Sequence, residues 1–393
     1  MGLTHYLQLA LTEGIGPILM GRLIESLGSA QNASNASLAD LQSIEGIGSA
    51  KSQKIYRSLR GAEGAAVAEM KKAEELGLRI VCPDDQLYPL LLRSIPDPPA
   101  VLYVKGTLEP RDLNAFALVG SRKCSYYGRE QAERFAALVA GAGFTVVSGG
   151  ARGVDSSAHR GAMQHLHGRT IAVLGCGVDN VYPPENGQLF EQVAKRGAVV
   201  SEYPLGTPPM AENFPRRNRI ISGMSRGILV IEADERSGAL ITARQAADDH
   251  NRPVFALPGK VDNPLSAGPH KLLRDGAILC ANLEDILQGL GPLPAEAMEV
   301  GGFEEISAGE TLPPRAEPAG IADGTPAPHF NLSERQTKLL AIMGRDPVSI
   351  DDLIDRSSLG ASEVLQEMTL LTLRGQVKRV DGQTFVRAGL IKD

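Results

Sequence analysis

A series of short, uninterrupted apolar runs that alternate with helical patterns constrains the fold of this chain more than any other feature. The runs are RIVC (79–82), AVLYVKG (100–106), FALVG (116–120), FTVVSGG (144–150), TIAVLGCG (170–177), AVVSEY (198–203), GILVIEA (227–233) and PVFALPG (253–259). Such runs are typical of parallel strands that are buried on both faces. The segments between them, such as REQAERFAALVAGAG, carry the period of an amphipathic helix. The sequence therefore predicts an α/β fold with an extended, Rossmann-like doubly wound sheet.

The segments that follow these runs are rich in glycine and polar side chains. They read VGSR, SGGARG, LGCGVD, SEYP, EADERSG and PGK. Open α/β sheets bind their ligands in the crevice outside the carboxyl ends of the strands. We therefore expect the functional site at the place where these segments meet.

Short helices are predicted for residues 1–75, which form a helical domain ahead of the Rossmann-like domain at 76–288. Two glycine turns, in EGIGPILMGRLIESLG (13–28) and IEGIGSAKSQKIYRSL (44–59), each precede an amphipathic helix. This pattern resembles a SAM-like or helix-hairpin-helix unit, whose turn amides hold a DNA phosphate. A small helical bundle without a ligand explains the same residues equally well, and both interpretations stay open.

The C-terminal third of the chain predicts a linker and a second small domain. Residues 289–329 are rich in Pro, Gly, Ala and Glu, which is typical of a flexible linker. NLSERQTKLLAIMG, SIDDLIDRSS and GASEVLQEMTLLTLRGQVKRV then read as three helices, and QTFVRAG as a closing strand. This order predicts a winged-helix domain at 330–393. Because its third helix carries only Arg374 near the end, binding to a protein is at least as well supported as reading of DNA.

Nothing in the sequence predicts a membrane span, a secretory signal or a disulfide framework. No apolar run approaches the roughly 18 residues needed to cross a bilayer, and the start MGLTHYLQLALTEG lacks a basic segment and a cleavage site. The cysteines are widely scattered and form no CxxC pair; they are Cys82, Cys124, Cys176 and Cys280. We therefore expect a protein of the reducing cytoplasm with no metal, no cofactor and no membrane partner.

Two motifs suggest hydrolysis, and neither has the required context. GMSRG (223–227) matches the GxSxG elbow, but Ser225 precedes a strand instead of following one. Asp155, Ser156 and His159 fall within one helical turn, which rarely supplies both an oxyanion hole and an accessible nucleophile. We favour Asp155 as a cap of the helix N-terminus and His159 as a buried, hydrogen-bonded side chain. A GxxxxGK[ST] loop and a GxGxxG after the first sheet strand are also missing from the sequence.

Two strand-to-helix turns predict an anion-binding site. SGGARG (148–153) ends a strand and opens a helix, so its amides and Arg152 are placed to hold a phosphate. GSRKCSYYGR (120–129) repeats the arrangement with Ser121 and Arg122. These two turns favour binding of a phosphate-containing ligand over catalysis.

A third segment, ENFPRRNRIISGMSR (212–226), combines Phe214 with a cluster of arginines. The arginines are Arg216, Arg217, Arg219 and Arg226. An aromatic ring that stacks a base, for about 1–3 kcal/mol, beside arginines that follow the phosphates is typical of single-stranded nucleic acid binding. The net charge of −6 does not oppose this, because a local cleft is governed by its nearest charges.

These motifs resemble the DNA-processing protein A (DprA/Smf) family over roughly residues 77–280. The resemblance rests on VGSRKCSYYG, SGGARGVDSSAH, TIAVLGCGVDNVYPPEN, SEYPLG, FPRRNRIISG, VIEADERSGALITARQA, NRPVFALPG and GPHKLLRDGA. It implies a non-catalytic protein that binds single-stranded DNA taken up in natural transformation. It also implies interaction with the RecA recombinase, which the protein helps to load, and a homodimer formed through the Rossmann-like domain.

The resemblance also implies which residues contact DNA. Together with the anion turns, it gives the predicted DNA-binding set: Ser121, Arg122, Gly149, Gly150, Arg152, Phe214, Arg216, Arg217, Asn218, Arg219, Ser237 and Gly238. The chain departs from the family pattern at Ala211, where some members have a lysine. The basic character of the pocket then rests on the arginines.

A different class, the lysine-decarboxylase-like nucleoside-monophosphate phosphoribohydrolases, is the alternative interpretation. Their PGGxGTxxE loop aligns here with SGALITARQ, which places Gln245 where the catalytic glutamate stands. An amide cannot act as the general acid or base that cleavage of a glycosidic bond requires. Ser237 and Gly238 then keep a position near phosphate, while the chemistry is lost.

Overall fold

The computed structural model describes residues 2–290, 334–343, 348–357, 359–360, 364, 368, 371, 377–379 and 384–387. The chain divides into two compact units, Met1–Glu305 and Ile306–Asp393. The helices of the first unit are α1 (Gly2–Ala10), α2 (Pro17–Leu27), α3 (Ala30–Ser34), α4 (Leu38–Ser43), α5 (Ser49–Glu75), α6 (Leu90–Arg93), α7 (Tyr126–Gly141), α8 (Val154–Gln164), α9 (Gly187–Arg196), α10 (Asn213–Gly223), α11 (Gly238–Arg244), α12 (Ala267–Arg274) and α13 (Leu283–Leu290). Its strands are β1 (Arg79–Val81), β2 (Leu102–Gly106), β3 (Ala115–Val119), β4 (Thr145–Ser148), β5 (Arg169–Val173), β6 (Ala198–Ser201), β7 (Ile228–Val230), β8 (Val254–Ala256) and β9 (Ile278–Leu279).

The strands form one mixed sheet in the order β1-β2-β6-β5-β4-β3-β7-β8-β9. Each predicted apolar run contains a strand, and the predicted doubly wound α/β fold is confirmed. The short strand β9 was missed, because IL in AILC is too brief to give a strand signal. The parallel direction was wrong for β2 alone: this strand pairs with both of its neighbours, β1 and β6, in antiparallel fashion.

The uninterrupted apolar character of β1 and β2 arises from burial on both faces and not from strand direction. On one face, Val81 and Leu102 join the central core that also contains residues of α10 and α11. On the other face, Ile80 and Tyr103 pack into the core of α1 to α5. An uninterrupted apolar run therefore shows that both faces of a strand are covered, and it does not distinguish a parallel strand from an antiparallel one.

The connections place a crevice between β3 and β7. From β3 the chain adds β4, β5 and β6 on one side, and then returns so that β7 pairs with β3 on the other side. The carboxyl ends of these two neighbouring strands therefore feed loops that diverge to opposite sides. A topological switch point of this kind is where open α/β sheets bind ligands.

Both predicted glycine turns precede helices. Gly16 and Gly48 are the N-caps of α2 and α5. Gly14 and Gly46 have φ angles of 89° and 84°, a left-handed conformation that favours glycine. Contact of these turns with DNA stays a prediction, as does the domain boundary after residue 75.

The second unit contains α14 (Glu334–Ile342), β10 (Val348–Ser349), α15 (Ile350–Ser357), β11 (Val377–Arg379) and β12 (Thr384–Arg387). Its strands form a sheet in the order β10-β12-β11, in which β11 and β12 are antiparallel. This order agrees with the winged-helix prediction, and β12 lies in the predicted closing strand QTFVRAG. Most of the third predicted helix and most of the predicted linker at 289–329 lie outside the described residues; Gly289 and Leu290 belong to α13.

Candidate nucleic-acid interface

A cleft of about 680 Å³ opens at the switch point between β3 and β7. Its walls come from the loop after β3, the start of α8, the middle of α10 and the start of α11. Seven of its lining residues belong to the predicted DNA-binding set: Ser121, Arg122, Phe214, Arg217, Asn218, Ser237 and Gly238. Segments that are more than a hundred residues apart in the chain are thereby brought to one site.

Phe214 and Arg122 form the centre of the cleft. The guanidinium carbon of Arg122 lies 5.1 Å from the centre of the Phe214 ring, within the range of a cation–π contact. The centre of the Tyr182 ring lies 5.5 Å from that of Phe214, and the two ring planes meet at 47°. The Arg122 side chain is exposed, and none of the carboxylates in the described residues pairs with it. A half-buried aromatic ring next to an unpaired cation is able to stack a base and hold its phosphate.

Arg217 supports this centre from below. It is only 3% exposed, and its Nη1 donates hydrogen bonds to the carbonyl oxygens of Gly149, at 2.6 Å, and Val173. Burial lowers the pKa of Arg217 to about 10, although the nearby Asp155 carboxylate acts in the opposite direction. The side chain therefore holds two strand ends together, which is a different use from the phosphate contact that the sequence suggested.

The glycines of the β4 turn make room for the protein's own side chains. A methyl group on Gly149 would lie 2.6 Å from Asp155 Oδ2 and 2.7 Å from Arg217 Nη2. A methyl group on Gly150 would lie 2.7 Å from Cε1 of Phe190, and its φ of 64° also favours glycine. The sequence interpretation, in which these glycines admit a phosphate, missed this packing requirement.

Arg152 and Arg219 were predicted as DNA contacts, and both already hold carboxylates. Arg152 is exposed and pairs with Glu185, whose Oε2 accepts a bond of 3.1 Å from Nη2. Arg219 is 6% exposed and lies between Asp97, at 3.1 Å, and Glu202, at 2.5 Å. The buried Arg219 guanidinium is thus engaged by carboxylates, and removal of either carboxylate would leave its charge uncompensated. A DNA contact of Arg219 stays a prediction, and in the structure its guanidinium is held by these two carboxylates.

Of the remaining predicted residues, Asn218, Ser237 and Gly238 line the cleft and Arg216 does not. Arg216 is exposed on α10, outside the cleft lining. Asn218 donates a hydrogen bond of 3.4 Å to the carbonyl of Gly238, and the Ser237 hydroxyl caps α11 by accepting from Ala239 N. Sequence reasoning missed Tyr182 and Thr242, which also line the cleft. In the sequence, Tyr182 is marked only by its position after the end of a strand. Thr242 is marked only by its place in SGALITARQ, the segment aligned with a phosphate-binding loop.

Asp155, Ser156 and His159 each make a hydrogen bond within the fold. The Asp155 carboxylate accepts a hydrogen bond from Ala151 N at 3.3 Å and so holds the turn before α8, although Gly153 is the N-cap itself. His159 is fully buried and hydrogen-bonded through Nδ1 to Thr170 Oγ1 at 2.7 Å. Burial lowers its pKa to about 3. The interpretation of His159 as a buried, hydrogen-bonded side chain is confirmed.

Comparison with known proteins identifies the family. Residues 79–291 match the family described as DNA recombination-mediator protein A, and residues 323–383 match the DprA winged helix domain. The chain belongs to the DNA recombination-mediator protein A family. This confirms the resemblance to DprA/Smf proteins, which extends to the predicted winged-helix region.

Relatives of the DNA recombination-mediator protein A family match most of the chain. Protein Smf of Synechocystis sp. is 35% identical over 331 residues, which are 81% of this chain and 82% of that protein. Protein Smf of Escherichia coli is 38% identical and covers 79% of this chain and 77% of its own length. The X-ray structure of DNA processing protein A from Streptococcus pneumoniae has a TM-score of 0.65 at 33% identity, over 73% of this chain and 98% of that one.

Two further properties bear on the expected partners. Within the described residues, none of the helices combines the length and the apolar character that a membrane crossing needs. The same residues contain no group of three or more His, Cys, Asp or Glu side chains placed to hold a metal ion.

Proposed function

We propose that this chain binds single-stranded DNA in the cleft at the switch point. The observation that carries the proposal is the exposed Arg122 guanidinium above the Phe214 ring, at 5.1 Å. A base stacks on the ring and the arginine holds the adjacent phosphate, without reading the sequence of the strand. A base inside a duplex cannot offer its face to such a ring, so single strands are preferred over duplex.

The experiment is a fluorescence anisotropy titration of labelled oligothymidylate and of a matched duplex. We expect tighter binding of the single strand, and a log affinity that falls with log salt. Arg122→Ala removes one phosphate contact, so it should weaken binding and reduce the salt slope by about 0.7. Arg160→Ala, an exposed arginine on α8 outside the cleft, is the matched control. Equal binding of duplex and single strand, or equal slopes for the two variants, would contradict the proposal.

The family description and this cleft support a role as a recombination mediator. In this role the protein, as a cytoplasmic homodimer joined through the Rossmann-like unit, receives single-stranded DNA in natural transformation and helps to load the RecA recombinase. It breaks no covalent bond. The test is the rate of RecA-dependent strand exchange on DNA covered by single-strand-binding protein, with and without this chain. Unchanged rates would contradict the mediator role while leaving DNA binding intact.

The phosphoribohydrolase alternative is not supported at its catalytic position. Gln245 begins a π-helical turn after α11, and its Oε1 is buried without a hydrogen-bond partner. An amide there cannot take or give the proton that cleavage requires. Release of free base from a nucleoside monophosphate, in proportion to the protein added, would overturn this conclusion.

A further inference from the structure

Glu232 is a buried acidic side chain that the proposed DNA contact does not use. It follows β7 at the switch point and is 2% exposed. Among the described residues no lysine, arginine or histidine nitrogen lies within salt-bridge distance of it. Burial of a carboxyl group without a cation is costly unless hydrogen bonds satisfy its oxygens. The arrangement of these hydrogen bonds shows what the residue holds in place.

Both oxygens of Glu232 accept hydrogen bonds from the end of one loop. Oε2 accepts from the backbone N–H of Ser125 at 2.7 Å, and Oε1 accepts from the Ser125 hydroxyl at 2.7 Å. Asn263 Nδ2 also donates to Oε1, at 3.4 Å. The Ser125 oxygen in turn caps α7 by accepting from Gly128 N at 3.0 Å. Glu232 therefore fixes both the loop end and the first turn of α7.

The start of the same loop is tied to the same residue. The backbone carbonyl of Glu232 accepts a hydrogen bond of 2.6 Å from Ser121 N. Between Ser121 and Ser125 the loop carries Arg122 and Lys123, whose side chains are exposed and line the cleft. Glu232 thus holds both ends of the 121–125 loop, which presents the cations of Arg122 and Lys123.

Gly128 packs directly against the Glu232 carboxylate. A methyl group on Gly128 would collide with Oε2. The glycine in SYYGR thus makes room for the carboxylate at the N-terminus of α7, where the helix dipole also favours a negative charge.

We propose that Glu232 is a positioning residue for Arg122: it holds the 121–125 loop so that the guanidinium lies over Phe214 and faces the bound strand. This inference rests on the proposed function. It predicts a change in DNA affinity that is opposite in sign to the change expected from charge alone. Removal of a negative charge beside a DNA site should raise affinity by Coulomb's law, whereas loss of a positioning residue should lower it.

The test compares Glu232→Ala with Glu235→Ala, which removes the same charge from an exposed site three residues away. Oligothymidylate affinity at 150 mM salt should fall about tenfold for Glu232→Ala, comparable to the loss of one phosphate contact, and should stay equal or rise for Glu235→Ala. The double variant Arg122→Ala/Glu232→Ala should bind as weakly as Arg122→Ala alone, within about twofold. Affinity that is unchanged or raised in Glu232→Ala, or losses that add in the double variant, would overturn the proposal.

A second variant and a measurement without DNA separate this proposal from the proposed function. Gly128→Ala should displace the Glu232 carboxylate and weaken binding in the same way. Because alanine favours the helix more than glycine does, a weaker α7 would not explain that loss. Hydrogen exchange at the Ser125 amide should accelerate in both variants, with the amides of β4 and β5 unchanged. If the wild type binds no single strand, the proposed function fails; if it binds and the Ser125 amide of Glu232→Ala stays protected, only the positioning role fails.

Discussion

The Phe214 ring and the Arg122 guanidinium touch each other, but they should contribute to binding in ways that an experiment can separate. Phe214→Leu removes the stacking face, so affinity for oligothymidylate should fall by about 5- to 150-fold, the equivalent of about 1–3 kcal/mol. The salt slope should stay the same, because no phosphate contact is lost. Phe214→Tyr keeps the aromatic face and should stay close to wild type. A change of salt slope in Phe214→Leu would argue against stacking.

Arg217 should affect binding mainly through stability. Its replacement by alanine removes a donor from the Gly149 and Val173 carbonyls and removes the cation that acts most strongly on the buried Asp155. Buried hydrogen-bonding groups that are left unsatisfied cost about 1–3 kcal/mol, so Arg217→Ala should lower the free energy of unfolding in urea by about that amount. The neighbouring Arg216→Ala is exposed and should change it by less than about 0.5 kcal/mol. An Arg217→Ala variant that keeps its stability but binds DNA more weakly would instead support the direct DNA contact that the sequence suggested.

At the scale of single elements, the strands and the functional edge of the sheet were predictable, and the roles of individual arginines were not. Apolar runs and strand-end glycines identify a sheet and its functional edge because both follow from burial and backbone geometry. Arg216, Arg217 and Arg219 look alike in the sequence, but α10 exposes the first and buries the other two. Their partners, such as Glu202 and Asp97, lie in other segments, so only the tertiary structure assigns them.

The turn from β4 to α8 gives a prediction at this scale. Gly149→Ala places a methyl group against Asp155 and Arg217, at 2.6 and 2.7 Å. Overpacking of this kind costs about 1–3 kcal/mol, so the variant should be less stable and should bind single strands more weakly. Gly141→Ala, at the end of α7, meets its nearest atom, His165 Cδ2, at 3.6 Å and is the matched control. Equal thermal stability of the two variants would contradict the packing described for the turn.

For the whole molecule, two buried histidines should make stability depend on pH. Burial lowers the pKa of His159 to about 3 and that of His250 to about 4, whereas an unfolded histidine titrates near 6.5. Below pH 6.5 the unfolded chain therefore binds protons that the folded chain does not. The stability from these neutral histidines is complete above pH 6.5 and is lost as the pH falls towards 3 to 4. Burial raises the pKa values of Asp155 and Glu202, which opposes this loss at the acidic end.

His159 provides the clearest test, because its protonation state is fixed by its partners. Thr170 Oγ1 donates to the Val146 carbonyl at 2.8 Å, so it accepts from His159 Nδ1, and Nε2 is left buried without a partner. His159→Asn retains a donor near Nδ1 and removes the titrating ring. Between pH 7 and 5 the free energy of unfolding should fall by about 2 kcal/mol less in this variant than in wild type. The exposed His167→Asn should follow the wild-type curve, and identical curves for all three proteins would show that His159 takes up a proton within the fold.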